Sequence, residues 1–178
     1  MKNWLKFVIG FGCCLLLRLV PFRAPNIEPI LATQMPFSKV YGAIFGFIFG
    51  FFSIIIYDLI TVHFGLWSLI TGMIYGLLGI IATSYFRKKE NPSRWDYALF
   101  AVFGTLLYDA LTGLTIGPLF FHQSFINALT GQIPFTFLHL LGNVSFSVIL
   151  SPAIYNFISR NKKLEAESII NIFSPKTI

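Results

Sequence analysis

Apolar runs long enough to cross a lipid bilayer recur along the chain and are separated by short polar breaks. The hydrocarbon core of a bilayer is about 30 Å thick and an α-helix rises about 1.5 Å per residue, so a crossing needs roughly 20 apolar residues. The runs that reach or approach this length occupy residues 4–22, 40–60, 66–86, 97–114 and 135–158. This pattern predicts an all-α integral membrane protein.

The distribution of basic residues predicts which breaks face the cytoplasm. Most Lys and Arg residues precede the first run, lie in the break 87–94 or follow the last run, whereas the breaks 61–66 and 116–133 contain none. Cytoplasmic loops of membrane proteins carry an excess of Lys and Arg. Both termini and the break 87–94 are therefore predicted to be cytoplasmic, which requires an even number of crossings.

The segment 26–38 is predicted to supply the sixth crossing, although its apolar part is short and prolines interrupt it. A broken helix is tolerated inside a membrane only where protein or a water-filled cavity surrounds it. We therefore predict a domain of six transmembrane helices over residues 1–160, with the second helix short or proline-broken. A cytoplasmic or inner-leaflet tail, 161–178, follows it. The alternative of five crossings places the N-terminal lysines on the wrong side of the membrane.

The break 116–133 carries no fixed charge and is too apolar for an ordinary loop. Ser124 is a suitable N-cap, and Gly131 is a suitable end for a short helix. We predict an interfacial helix or lid on the outer surface.

Composition excludes other classes of protein. Hydrophobic residues make up 56% of the chain and charged residues 11%, against about 25% charged in soluble domains. The net charge of +6 comes without an aromatic and basic platform for nucleic acid, so it is assigned to topology and to anionic inner-leaflet lipid. Motifs for metalloprotease, serine hydrolase and phosphate-loop chemistry are absent from the sequence. The prediction is a protein without enzymatic activity, metal or cofactor.

The few ionisable residues of the predicted outer half are the main candidates for function. They are the acids Glu28, Asp58 and Asp109 and the cations Arg18 and Arg23. An ionised group inside a membrane costs at least ~2.5–3.5 kcal/mol, so such groups persist when they are paired, hydrated or used. Two interpretations stay open: ion pairs and wet helix ends that lock the bundle, or a polar pocket that binds a solute.

Polar residues on the later helices fit the same two interpretations. His139 and Asn143 are four residues apart and share a helix face, as do Thr71 and Tyr75. Trp67 lies one turn before Thr71 and is either a pocket residue or an interfacial anchor. The pocket hypothesis includes all of these side chains, and the alternative makes the histidine an ordinary core residue.

Small residues at intervals of four mark a possible helix-packing face. Gly42, Gly46 and Gly50 form a double G-x-x-x-G pattern, which allows another helix to approach closely. The neighbour is either another helix of this chain or a separate membrane partner.

The chain resembles the substrate-binding S components of energy-coupling factor (ECF) transporters. The resemblance lies in R-x-P-N-I-E-P-I at 23–30, P-F-x-K-x-x-G at 36–42, the G-x-x-x-G pattern and the aspartate that closes the following run. It extends over roughly residues 4–158. It implies capture of a vitamin or similar micronutrient and association with a transmembrane coupling subunit and two cytosolic ATPases.

The resemblance also implies positions for both sites. Small residues on the first helix form the docking face of S components, and here only Gly10 and Cys14 keep the four-residue spacing. The positions that match the family pocket are Arg23, Asn26, Glu28, Trp67, Tyr75, Asp109, His139 and Asn143. The implied solute is small and polar or heterocyclic. The alternatives are a multi-span scaffold subunit of cell-envelope machinery and a standalone facilitator or channel.

Overall fold

The computed structural model describes residues 4–21 and 27–160, and within them the chain forms helices and turns without any strand. The helices, in chain order, are α1 (Trp4–Arg18), α2 (Ile30–Tyr41), α3 (Ala43–Ile60), α4 (Leu66–Arg87), α5 (Arg94–Gly113), α6 (Ile116–Phe121) and α7 (Phe125–Arg160). The predicted all-α class is confirmed. The tail 161–178 and the predicted pocket residues Arg23 and Asn26 lie outside the described residues.

Four stretches in the described part of the chain are long and apolar enough to cross a membrane. They are Ala43–Ile60, Leu66–Arg87, Arg94–Phe121 and Phe125–Ser159. By contrast α1 has 15 residues and α2 has 12, so they reach only roughly 22 Å and 18 Å. Four apolar helices are consistent with a multi-pass membrane protein, and the crossings by α1 and α2 stay predictions.

The short helix α2 lies in the centre of the fold. Every residue from Ile30 to Ser38 is buried, and α2 packs against α3, α4 and α7. Pro36 has no N–H, so the carbonyl oxygen of Ala32 loses its usual partner in the helix. The Ser151 hydroxyl of α7 donates to that oxygen at 2.6 Å. A proline-containing helix is thus enclosed by protein that replaces its missing hydrogen bond, as a broken helix within a membrane requires.

The helices α3 and α4 pack closely because glycines meet at their contact. A Cβ atom placed on Gly79 would lie 2.2 Å from the carbonyl oxygen of Gly46, so only hydrogen fits there. The fully buried Gln34 of α2 donates from Nε2 to the Gly46 carbonyl at 2.9 Å and to the Tyr75 carbonyl at 2.7 Å. These bonds join α2, α3 and α4 through one amide group.

The predicted docking role of the glycine pattern needs correction at two positions. A Cβ atom on Gly46 would lie 2.8 Å from the Gly79 carbonyl oxygen, and one on Gly50 would lie 2.5 Å from the Tyr75 carbonyl oxygen. Both positions are therefore filled by α4 and are closed to a separate partner in this arrangement. Gly42 is different: it has a φ of +89° and open space around it, and it makes the sharp reversal between α2 and α3.

The predicted docking pair on α1 also faces inward. A Cβ atom on Gly10 would lie 2.1 Å from the ring of Phe37 in α2, and Cys14 is buried. These small residues let α1 approach α2 and leave the opposite face of α1 exposed. Gly10 and Cys14 thus pack inside the bundle in this arrangement, and their docking role stays a prediction.

Basic residues from distant parts of the described chain meet at one end of the bundle. Lys6 Nζ donates to the carbonyl oxygen of Ile158 at 2.9 Å, so the beginning of α1 and the end of α7 meet. Lys39 at the end of α2 donates to the carbonyl oxygens of Phe86 and Lys89. We call this region the basic end. Since α2 also begins near the C-terminus of α1, it runs between the two ends of the bundle like its longer neighbours.

The prediction of a separate helix or lid over 116–133 is wrong for the residues from Phe125 onward, which belong to α7. Ser124 does act as a cap, because its hydroxyl accepts the Asn127 N–H at 3.3 Å. The helix that starts there does not end before Gly131 but continues as α7 through Pro134 to Arg160. Gly131 keeps a negative φ, so the left-handed geometry that ends helices is not used there. Only the six residues of α6 form a separate short helix in this region.

Candidate functional site

A polar cavity of about 270 Å³ lies at the end of the bundle opposite the basic end. It is bounded by the end of α1, the residues before α2, the end of α3, the first half of α4, α5 and α7. Its walls combine ionisable and aromatic side chains: Arg18, Glu28, Asp58, His63, His139, Tyr57, Trp67, Tyr75, Tyr108 and Phe135. We call this space the polar cavity.

The one guanidinium group among the described lining residues is held in place by α3 and by the chain before α2. Arg18 is 3% exposed, and its Nη2 atom lies 3.3 Å and 3.2 Å from the two carboxylate oxygens of Glu28. Its Nη1 atom donates to the carbonyl oxygen of Ser53, and its Cζ atom lies 3.9 Å above the ring of Tyr57. Carboxylate, carbonyl and aromatic face together compensate a cation that burial would otherwise destabilise.

Asp58 differs from Glu28 and Asp109 because its carboxylate makes no hydrogen bond or ion pair with any described residue. Asp58 is half-buried near the end of α3 and lines the polar cavity. Only its backbone carbonyl is engaged, as acceptor of the His63 N–H at 2.9 Å. An acceptor group of two oxygens is therefore available to whatever occupies the cavity.

A second acceptor is prepared by a buried chain of side chains. Asp109 and His139 are 2% and 3% exposed, and Oδ1 of the former lies 2.7 Å from Nδ1 of the latter. A carboxylate only accepts hydrogen bonds, so Nδ1 carries the hydrogen and Nε2 of a neutral ring is an acceptor. The Tyr75 hydroxyl is 3.4 Å from Nε2, which leaves room for a stronger donor from the cavity.

Aromatic rings fix the orientation of this histidine. The rings of Tyr108 and Phe135 stand nearly perpendicular to the His139 ring, with centroids 5.6 Å and 5.8 Å away. Tyr75 packs against Tyr108 at 4.4 Å between centroids. Such packing limits the rotation of the imidazole, so the pair with Asp109 aims Nε2 at the cavity.

The structure brings together most of the described residues of the predicted pocket. Glu28, Asp58, Trp67, Tyr75 and His139 all line the polar cavity. Trp67 is 40% exposed and donates from Nε1 to the carbonyl oxygen of His63 at 3.2 Å, so it lies at the rim. Thr71, predicted to share a face with Tyr75, is also in the lining.

Two predicted pocket residues are placed differently. Asp109 lies behind His139 and does not line the polar cavity, so its influence there passes through the imidazole. Asn143 lies outside the lining as well, and its Nδ2 atom donates to Thr105 Oγ1 at 2.8 Å. Its pocket role stays a prediction, and in this arrangement Asn143 contacts α5 instead of lining the cavity.

Sequence reasoning did not select four of the polar or aromatic lining residues: Tyr57, His63, Tyr108 and Phe135. A signal for two of them exists, since Tyr57 and Tyr108 each precede an aspartate near the end of an apolar run. The other two have no such mark. His63 lies in the turn after α3, and Phe135 is one of 21 phenylalanines in the chain.

Two further cavities have mainly apolar walls. One, of about 390 Å³, lies between α5 and α7 beside Asp109 and Gln132. The other, of about 320 Å³, lies among α1, α2 and α7 beside Lys6. Neither gathers a comparable set of polar groups, so the polar cavity is the best candidate for a functional site.

Comparisons of the chain with protein-family models, with curated proteins and with solved structures found no match. The resemblance to S components therefore stays a prediction from the sequence, and the polar cavity has to be interpreted from its own chemistry.

Proposed function

We propose that this chain captures a small polar or heterocyclic solute in its polar cavity and serves as the S component of an ECF-type uptake transporter. The observation that carries the proposal is the polar cavity itself. Ionisable and aromatic side chains from distant parts of the chain converge there on a space of about 270 Å³, close to the lower limit of ~300 Å³ for typical ligand pockets. A solute of vitamin size matches such a space.

The energetics of membrane burial support a binding role. Ionised groups in a membrane interior are expensive and face cavities or partners when they are retained. The Arg18 and Glu28 pair is explained by packing alone, since each compensates the other. The carboxylate of Asp58 has no such partner among the described residues, and Nε2 of His139 has only the long contact to the Tyr75 hydroxyl. Binding of a solute would satisfy both.

In the proposed topology the chain crosses the plasma membrane six times. Both termini lie in the cytoplasm. In support, α2 runs between the two ends of the bundle while enclosed by α3, α4 and α7. The contact between Lys6 and the end of α7 places both ends of the described chain at the basic end, the side expected to be cytoplasmic. The polar cavity then faces outward.

In this proposal the chain performs no catalysis, and transport depends on a transmembrane coupling subunit and two ATPases. The docking surface is assigned to the outward face of α1. Its inward small residues are used against α2, whereas Val8 and Leu16 are more than half exposed. The scaffold alternative is weakened because the glycines that would bind its partners are occupied by α4.

The decisive experiment is identification of a bound solute. The full chain is purified in mild detergent, and small molecules that co-purify are identified by mass spectrometry. Thermal unfolding is then measured with pools of vitamins and nucleobases. A ligand at 100 times its Kd raises the stability by about 2.7 kcal/mol, which gives a measurable rise in melting temperature. Absence of both a co-purified molecule and any stabilisation would overturn the proposal.

Two further measurements separate the alternatives. Crosslinking in cells should capture a coupling subunit with ATPases, whereas a scaffold should capture envelope proteins and a facilitator should support uptake into vesicles without ATPase. For topology, single cysteines in a background lacking Cys13 and Cys14 are treated with an impermeant thiol reagent on intact cells. A cysteine at position 121 should react and those at 2 and 163 should not. The reverse pattern would refute the orientation.

A further inference from the structure

We propose that the solute held in the polar cavity is a cation with hydrogen-bond donors, such as a protonated amine, an amidine or an aminated heterocycle, and not an anion. This inference rests on the proposed capture function and concerns the chemical class of the solute. It follows from which polar groups of the cavity are already engaged and which remain open.

The free carboxylate is the first argument. Asp58 lines the polar cavity, and among the described residues nothing donates to its side chain or pairs with it. An ionised carboxylate accepts hydrogen bonds and donates none. An anionic solute beside it would suffer repulsion in a space of low dielectric constant, whereas a cation would be attracted.

The second argument is that the one guanidinium group among the described lining residues is already paired with a carboxylate. Arg18 places Nη2 within 3.3 Å of both carboxylate oxygens of Glu28 and gives Nη1 to the Ser53 carbonyl. The Tyr57 ring covers one face of the guanidinium at 3.9 Å. The Nε atom has no partner among the described residues, but a donor on a neutralised group attracts an anion only weakly. An anion would have to compete with Glu28.

The orientation of His139 is the third argument. Its Nδ1 atom faces Asp109 at 2.7 Å, so in the neutral ring the atom that faces the cavity, Nε2, is an acceptor. Acceptors on α3 and α7 thus approach the cavity from two sides. A solute with donors at two positions would satisfy both, and it would take the place of the long 3.4 Å contact to the Tyr75 hydroxyl.

The aromatic side chains of the polar cavity also favour a positively charged solute. Trp67, Tyr108 and Phe135 contribute rings to the lining, and the negative face of an aromatic ring attracts cations. The same rings stack on a planar heterocycle. Acceptors at the ends and rings along the sides together favour a flat, positively charged, donor-rich molecule.

The test uses three probes that share one ring and nearly one shape but differ in charge: benzamidine as the cation, benzamide as the neutral form and benzoate as the anion. Thermal unfolding of the purified full chain is measured over a millimolar range of each. We expect benzamidine to bind about tenfold or more tightly than benzoate, a ratio within reach of one partly screened contact between opposite charges. Benzamide should fall between them.

Variants locate the source of the preference. Asp58→Asn should remove the advantage of benzamidine, and Asp58→Glu should retain it. Glu90→Gln is the matched control, because it converts an exposed acid near the basic end to its amide. Equal or tighter binding of benzoate, binding of none of the probes, or a preference that survives in Asp58→Asn would overturn the inference.

The charge of the co-purified solute gives a readout that needs no variant. A cationic solute supports the inference, whereas a bound anion such as a carboxylate vitamin would overturn it and leave the capture function intact. Failure of the capture function has a different signature, since no molecule would co-purify and no pool would stabilise the chain.

Discussion

The contact between α3 and α4 offers the sharpest test of the fold. In Gly79→Ala the new Cβ atom would lie 2.2 Å from the Gly46 carbonyl oxygen, 2.3 Å from its carbonyl carbon and 2.5 Å from Gln34 Nε2. The first two atoms belong to backbone and cannot rotate away. Ordinary contact begins at 3.4 Å, so the helices must separate by about 1 Å along the line of contact.

The expected loss has two parts. Overpacking of a close contact costs about 1–3 kcal/mol. Separation of the helices also weakens the two bonds from the Gln34 amide to the Gly46 and Tyr75 carbonyls, and interhelical hydrogen bonds in membranes are worth about 0.6 to 1.7 kcal/mol each. We therefore expect Gly79→Ala to lower the free energy of unfolding by about 2–5 kcal/mol, in spite of the better helix propensity of alanine.

The measurement is unfolding of the purified chain in mixed detergent micelles by titration with sodium dodecyl sulfate, followed by tryptophan fluorescence. Gly12→Ala is the control, because a Cβ atom there meets nothing within 4 Å and alanine favours the helix. It should leave the stability unchanged or raise it by about 0.5–1 kcal/mol. If Gly79→Ala proved as stable as Gly12→Ala, the close contact would be refuted and the glycines of α3 would again be candidates for a partner surface.

Two further substitutions test the hydrogen bonds of buried residues. Ser151→Ala removes the only described donor to the Ala32 carbonyl and should lower the free energy of unfolding by about 1–2 kcal/mol. The control Ser84→Ala, at an exposed position of α4, should change it little. Equal effects of the two substitutions would contradict the role of Ser151 in replacing the hydrogen bond lost at Pro36. Asp109→Asn keeps an acceptor for His139 and should cost about 1 kcal/mol, while Asp109→Leu should cost about 2–3 kcal/mol because it leaves the Nδ1–H of His139 without its acceptor. The same titration measures both, and similar losses for Asn and Leu would show that the hydrogen bond contributes nothing.

The long apolar helices were predictable because insertion in a membrane is a property of each segment. The start of α4 at Leu66 and the end of α3 at Ile60 agree with the predicted runs. The free energy of transfer sums over the residues of one segment, so a window of sequence contains the necessary information. The convergence of Glu28, Asp58 and His139 was predictable in outline for a related reason, since the predicted topology puts all three toward the same side of the membrane.

The details of the site depended on which helices are neighbours. Nothing local shows that Arg18 pairs with Glu28 across the end of α1, or that His139 turns one nitrogen to Asp109 while Asn143, four residues later, contacts Thr105. These outcomes depend on the rotation of each helix about its axis, which packing of the whole bundle sets.

Local signals also failed where tertiary contacts outweighed them. Gly131 and Pro134 are helix-ending residues in isolation, yet α7 runs through both, and the proline break of α2 is repaired by Ser151 from a helix more than a hundred residues away. The sequence by itself predicts what each segment prefers, namely helix and insertion in a membrane, because these are additive properties of neighbouring residues. Only the folded bundle determines which polar groups form hydrogen bonds or ion pairs with one another and which, like Asp58, face the polar cavity. The reason is that these interactions depend on distances between remote parts of the chain.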